Sequence, residues 1–355
     1  MPPDFLPPLA SPHQYIVRET GEIRHETLLA DRAIGLLYSR LREQAPAVFR
    51  ALTGKRFSSL LSWLQYDCKR PGRRLRGVEL FQSMGIDWRE CLHPPDTFTS
   101  PRQVFERQIR YWACRPMAAQ AQTVLSPADA RMVFGRLTDD SALFIKEKFF
   151  TPGELLGQDN PWHEAFTGGW FAIFRLTPDK YHYNHMPVSG VIIDLYTLDG
   201  AYHSCNPQAV LALASLHAKN RRVVTIIDTD VAGGSGVGLV AMIEVVALMI
   251  GDIIQCYSGR RYDNPTQLYR GLRVEQGQPK SLYRPGSSTD ILLVQKDTVA
   301  FCPDLVRNAC RRDVSSRFSV GLGQPLVETE VRVRSVVATK LAVTAETALG
   351  VDRGI

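Results

Sequence analysis

The hydrophobic texture of this 355-residue chain changes near residue 120, and that change limits the folds open to it. Before it, apolar residues recur at helical spacing: Leu28, Leu29, Ile34, Leu37 and Leu41, with Arg and Glu between them. Phe57–Tyr66 and Pro101–Trp112 read as two further helices, the second opening on a proline suited to a first helical turn. Beyond residue 120, short runs rich in Val, Ile and Phe take over, punctuated by Gly, Pro and Asp. Trp170–Leu176, Val188–Tyr196, Arg222–Ile227 and Asp290–Val294 read as strands, and Asn206–Lys219 as a helix between them. The expected class is α+β: a helical N-terminal part over 1–120, then a strand-rich domain over 121–355. Residues 1–25 read as an irregular arm. Core packing is the expected role of Trp63, Trp88 and Trp112.

Hydrophobic residues are 45% of the chain, enough to bury a core without disulfides or metal. The seven cysteines are odd in number and none sits at CxxC spacing, so neither a zinc framework nor a disulfide scaffold has support; reduced thiols are the default. Lys plus Arg is 42 against 36 for Asp plus Glu, a net charge of +6. This excludes a polyacidic or tail-driven basic protein. It favours anionic partners such as phosphate, acidic lipid or nucleic acid, beside the plainer reading of a slightly basic soluble enzyme. Met1–Pro12 lacks a charged segment followed by an apolar one, so it does not read as a signal peptide. The longest apolar stretch, Val237–Ile254, is broken by Glu244, Gly251 and Asp252 and reads as buried strands rather than a membrane span.

Four motifs offer chemistry. The glycines at 233, 234, 236 and 238 follow a strand, but the Lys-Ser/Thr pair of a phosphate loop is missing; a hairpin loop is the simpler reading. His182 and His185 lie three apart, bracketed by Pro178 and Pro187, which disfavours a long helix holding both on one face. Imidazoles titrate near neutrality, so proton transfer suits them better than metal binding; histidines without a role are the alternative. Asp129 ends Ser-Pro-Ala-Asp, either as a turn residue or as the group that orients a histidine. Gly286-Ser287 lies in a turn before an apolar run. Glycine shields its carbonyl poorly, and the next hydroxyl is placed to attack it if a base removes the proton.

Together these segments resemble the phosphatidylserine decarboxylase family, whose cofactor is made from its own chain. The resemblance runs from about Phe98 to Val294. It rests on Ser126–Asp129, on Phe150–Gly157 (FTPGELLG), and on Asp179–Pro187 (DKYHYNHMP) followed by Gly190. His217–Val223 leading to Asp228, the apolar Val240–Ile253, and Gly277 followed by Gly286-Ser287 complete it. Ala130 stands where the family has glycine, Lys180 adds a residue before Tyr181, and Pro285 replaces a usual Leu, Val, Phe or Gly. The doubled serine leaves two registers. Gly286-Ser287 fits the upstream spacing, and Ser288-Thr289 fits the distance to Leu292-Leu293. The family's Gly-Ser cut assigns Ser287.

The resemblance implies a strand-rich catalytic domain that cleaves itself between Gly286 and Ser287. It implies Asp129, His185 and Ser287 as catalytic residues, with Asp129 orienting His185 and His185 acting as base on Ser287. It implies His182 as a substrate-binding residue, no metal, and a covalent pyruvoyl (pyruvate) cofactor formed from Ser287. The implied substrate is phosphatidylserine, with a free, even aromatic, amino acid as the alternative; an uncleaved non-enzymatic relative is a further one. Implied partners are the chain's own α and β products, a homodimer and a peripheral membrane contact, without nucleic acid. Arg50, Lys55, Arg56, Lys69, Arg70, Arg73, Arg74 and Arg76 form a basic cluster suited to that contact, or a solvated face. The expected location is cytoplasmic, at the inner face of the cell membrane.

Overall fold

The computed structural model describes residues 12–28, 30–68, 76–137, 150–249, 252–286 and 288–341. Ser287 and the basic residues Lys69, Arg70, Arg73 and Arg74 lie outside them. Among the described residues, ten strands form one large sheet: β1 (Gln14–Val17), β2 (Ile23–His25), β4 (Ala130–Arg136), β5 (Trp170–Leu176), β7 (Gly190–Leu198), β8 (Arg222–Asp228), β9 (Leu239–Val246), β11 (Arg273–Val274), β13 (Ser288–Val294) and β15 (Glu328–Val331). Their order is β11-β7-β8-β9-β13-β5-β4-β15-β1-β2. One three-stranded sheet joins β10 (Ile253–Gln255), β12 (Pro279–Tyr283) and β6 (Tyr183–His185). Another joins β14 (Val299–Phe301), β16 (Val336–Lys340) and β3 (Thr123–Leu125).

The class is α+β, as the pattern predicts. The first 25 residues are not an irregular arm where they are described: β1 pairs in parallel with β15 and antiparallel with β2, adding two strands to the large sheet. The helix expected over 101–112 is two pieces, Pro101–Phe105 and Tyr111–Cys114; Ile109 bridges to Cys91 and draws the chain out between them. The helix expected over 206–219 stops at Ala212, where Leu213 is extended, and a second short helix starts at Leu216 after Ser215, whose φ of 52° lies outside the right-handed helical region. Trp63 is 52% exposed, against the core role expected of it.

β13 is a central strand, buried along its whole length. Side chains alternate between the two faces of a strand, so both sets must be apolar or partnered. Leu292 and Val294 pack on one face with Met186, Ile253 and Tyr283 of the small β6–β12 region. Ile291 and Leu293 pack on the other with Leu155, Phe166, Val210, Tyr38 and Phe49 from the helices. The glycine stretch at 233–238 is the β8–β9 hairpin loop, with Gly233, Gly236 and Gly238 at positive φ. Among the described residues, the seven cysteines form no disulfide, and no helix is long and apolar enough to cross a membrane.

Candidate active site

The chain passes from the small sheet to the large one through residues 284–287. Tyr283 ends β12 and Ser288 begins β13. Ser288 pairs with Leu176 on one side and Val246 on the other. Gly286 has φ 150°, a conformation only glycine adopts without strain. The junction packs under the N-terminal part: Ser62 Oγ lies 3.5 Å from the Pro285 carbonyl, and Arg284 faces Glu106 at 4.0 Å. The hydroxyls of Ser288 and Thr289 are buried and have no hydrogen-bond partner among the described residues.

His182 sits at the end of the small ladder next to this junction, its carbonyl accepting from Tyr283 N at 3.1 Å. Its ring stacks on Phe105 with centroids 3.6 Å apart, and neither ring nitrogen has a hydrogen-bond partner among the described residues. Burial, helped by the nearby Arg107, pushes its pKa down to about 3.

His185 is opposite Pro279, at the other end of the ladder. Its Nδ1 lies 2.8 Å from the Gly277 carbonyl. That oxygen only accepts, so Nδ1 carries the hydrogen and Nε2 is the acceptor. Tyr181 Oη stands 3.0 Å from Nε2, and Tyr262 Oη 2.7 Å from Tyr181 Oη. Burial pushes His185 down to about 3.

Asp129 is not hydrogen-bonded to His185, contrary to the role expected of it. Its carboxylate accepts from Arg115 at 2.7 and 3.0 Å and from Val333 N at 2.8 Å. Burial works to raise its pKa, but the Arg115 guanidinium holds it below the ordinary value. Its loop still meets the histidine through the backbone, with His185 N donating to the Pro127 carbonyl at 2.7 Å. The structure thus brings His182 to the junction and seats Asp129 and His185 together by main chain alone.

Beneath β13 lies a charged layer that sequence reasoning passed over. Lys280 Nζ donates to Glu244 at 2.6 Å, both fully buried, and Asn184 and Ser281 also donate to Glu244. Asp290 lies opposite Glu244 across the ladder. Burial and that neighbouring carboxylate push Asp290 well above the usual carboxylate range, while Tyr283 Oη reaches its Oδ1 at 2.8 Å. The signal was available: Glu244 is a lone charge in an apolar run.

On the other face of the sheet, a cavity of about 1870 Å³ separates the sheet from the N-terminal helices. Leu37, Leu41, Phe57, Leu61, Leu80 and Met84 line its helical side. Arg131, Arg175, Leu176 and Thr177 line its sheet side. Leu176 pairs with Ser288, and Cys205, another lining residue, has its Sγ 4.0 Å from the Ser288 carbonyl. The cavity therefore adjoins the junction.

A family model described as phosphatidylserine decarboxylase matches residues 102–321. The chain belongs to the phosphatidylserine decarboxylase family. A phosphatidylserine decarboxylase proenzyme of Fusobacterium nucleatum is 26% identical over 309 residues, 87% of this chain and 95% of the relative. One from Nitrosococcus oceani is 33% identical over 232 residues, 61% of this chain and 71% of the relative. One from Ruminiclostridium cellulolyticum is 28% identical over 290 residues, 81% and 89% respectively. The decarboxylase match includes Asp129, His182, His185 and the 286–287 bond. Most of the helices that line the cavity precede it.

In this decarboxylase-family chain four buried histidines sit well below their ordinary value through burial: His182 and His185 near 3, His203 and His217 near 4. The folded protein keeps them neutral, while an unfolded chain protonates them below about pH 6.5. The unfolded state then binds more protons, so stability is complete above pH 6.5 and falls as pH drops toward 4. Each histidine contributes on the order of 1.4 kcal/mol per pH unit in that window. Asp290, raised instead of lowered, works in the opposite direction but is one group against four. Denaturant titrations at pH 6.5 and 4.5 are expected to differ by several kcal/mol; equal midpoints would show that these imidazoles are not neutral in the fold.

Proposed function

We propose that this chain is a self-cleaving, pyruvoyl-dependent decarboxylase acting on phosphatidylserine to give phosphatidylethanolamine. The observation that carries the self-cleavage is the junction: a glycine in a glycine-specific conformation, followed in the sequence by a serine, two residues before a central strand begins. Ser287 Oγ attacks the Gly286 carbonyl, and the peptide becomes an ester. Loss of the Ser287 α-proton expels Gly286 as the carboxylate terminus of a β chain. Water then replaces the nitrogen, released as ammonia, and leaves a pyruvoyl group at the head of the α chain, 287–355.

The residues present fit such a group, because Ser288 pairs with the cavity-lining Leu176 and His182, with no partner for its ring nitrogens among the described residues, bonds to Tyr283 at the end of β12. When formed, the ketone supplies an electron sink for the departing carboxylate. The chain's own residues bind, orient and exclude water. His185, neutral with Nε2 as its basic atom, serves as the base; Asp129 acts on it through the Pro127 carbonyl and by charge. His182 meets the substrate beside position 287.

Cavity size supports a lipid over a free amino acid. Pockets for small ligands run to roughly 300–1,000 Å³, and this one is larger and walled by leucines. We further propose that the N-terminal helices cap the substrate and dock on an anionic membrane. Leu60, Trp63 and Leu64 are exposed on the helix Lys55–Tyr66, which begins with Lys55 and Arg56.

Intact mass of the purified protein, together with CO2 release from phosphatidylserine vesicles and from free amino acids, tests the reading. Two fragments meeting at 286/287 and turnover of the lipid are expected. A single uncut chain removes the decarboxylase reading, and turnover of a free amino acid with none of the lipid removes phosphatidylserine. In vesicle co-sedimentation, Trp63→Asp is expected to lower binding about tenfold; unchanged binding places the docking face elsewhere.

A further inference from the structure

Tyr283 ties together the two ends of the connector between the small and the large sheet. Its main chain ends β12, and its N–H donates to the His182 carbonyl at 3.1 Å. Its side chain crosses to the start of β13, where Oη lies 3.0 Å from the Thr289 carbonyl and 2.8 Å from Asp290 Oδ1. Tyr283 and Asp290 are both fully buried. Residues 284–288, with the Gly286-Ser287 bond among them, run between these contacts.

The two buried acids of this layer differ in state. Glu244 accepts from Lys280 at 2.6 Å, from Gln255 at 2.7 Å, from Asn184 at 3.1 Å and from Ser281. These donors, one of them an ammonium, hold it as the carboxylate. Asp290 is directly opposite Glu244 on the neighbouring strand, which puts their Cβ atoms about 5 Å apart. Its Oδ1 meets Tyr283, and its Oδ2 has no hydrogen-bond partner among the described residues. A second negative charge there would face Glu244 with no comparable set of donors, so Asp290 is the neutral acid.

Counting hydrogens gives the same answer. The Thr289 carbonyl only accepts, and a phenol has a single hydrogen to give. That hydrogen goes to the carbonyl, so the one between Tyr283 Oη and Oδ1 comes from Asp290. The bonds run in one direction, from Asp290 to Tyr283 to Thr289. Attack of a hydroxyl on the neighbouring carbonyl depends on how narrowly the backbone on either side is held. A connector with both ends fixed has fewer conformations to give up before it reacts.

We propose that Tyr283, oriented by the Asp290 carboxyl, is a positioning residue for the self-cleavage: it clamps the ends of the 284–288 connector and so sets the rate at which the Gly286-Ser287 bond is cut. The inference rests on the decarboxylase reading above. On that reading Tyr283 falls in the β chain and Thr289 and Asp290 in the α chain. The same bonds then hold the start of the α chain against the end of the β chain.

The test uses the full chain made by cell-free translation, with the appearance of the two fragments timed on a gel. Tyr283→Phe is expected to slow the cut at least about tenfold, because Asp290 and the Thr289 carbonyl both lose a buried partner. Asp290→Ala is expected to slow it too, whereas Asp290→Asn, whose amide donates to the phenol, stays within about threefold of the parent. Val294→Ala, at the far end of β13, is expected to lower the melting temperature without slowing the cut. In the Ser287→Ala background, Tyr283→Phe is expected to speed hydrogen exchange of the connector amides about tenfold. The proposal is overturned if Tyr283→Phe cuts at the parental rate, if Asp290→Asn is as slow as Asp290→Ala, or if Val294→Ala is as slow as Tyr283→Phe. Should the parent never cut, the decarboxylase reading fails and exchange alone decides: faster exchange in Tyr283→Phe keeps the clamp on the connector, and unchanged exchange removes it.

Discussion

Ser287→Ala is expected to leave a single uncut chain of about 39.8 kDa and to abolish CO2 release. The effect is all-or-none because the hydroxyl is both the nucleophile of the cut and the precursor of the ketone; alanine supplies neither. The doubled serine makes this variant decisive for register. Ser288 belongs to β13, with partners on both sides, and its hydroxyl is buried. Attack from Ser288 on the preceding carbonyl would have to open that ladder. Gel electrophoresis and intact mass report the result together. If Ser287→Ala still splits, Ser288 is the nucleophile. If His185→Ala cuts at the parental rate, the base is another group, and His182, nearer the junction and unpartnered, is the first to examine.

Arg175→Ala is expected to destabilise the protein by about 3–5 kcal/mol, because it leaves two carboxylates buried without their shared guanidinium. Glu26 and Glu328 have side chains 5% and 2% exposed. His13 lies 2.6 Å from Glu328 and Arg131 contacts Glu26, but neither replaces a fork that bonds both acids. The network also crosses the proposed cut: Arg175 and Glu26 fall in the β chain and Glu328 in the α chain. With β13 seated between β9 and β5, it would keep the two products together. Thermal unfolding in the uncut Ser287→Ala background isolates the stability effect from processing. A change under about 1 kcal/mol would mean that water or a rearranged Arg131 satisfies both glutamates.

Much of this protein was legible from its residues. Strands such as Trp170–Leu176 and Arg222–Asp228 announce themselves because a buried strand needs apolar side chains on both faces. The motif around His182 and His185, the Ser-Pro-Ala-Asp segment and the Gly-Ser bond were visible because each is short and chemically distinctive. The helix over 101–112 misled because local periodicity carries no trace of the Cys91–Ile109 bridge that interrupts it. Trp63 misled because an aromatic residue is read as core until the tertiary structure leaves its face uncovered.

The sequence by itself therefore determined the α+β class and the family, both properties of local pattern. Which groups meet was decided only by the tertiary structure. Asp129 turns to Arg115, His185 to Tyr181 and Gly277, and Arg131 and Arg175 share Glu26. Such partnerships join residues up to about 300 positions apart, as His13 and Glu328 are. They depend on strand order and register, and no spacing along the chain encodes those.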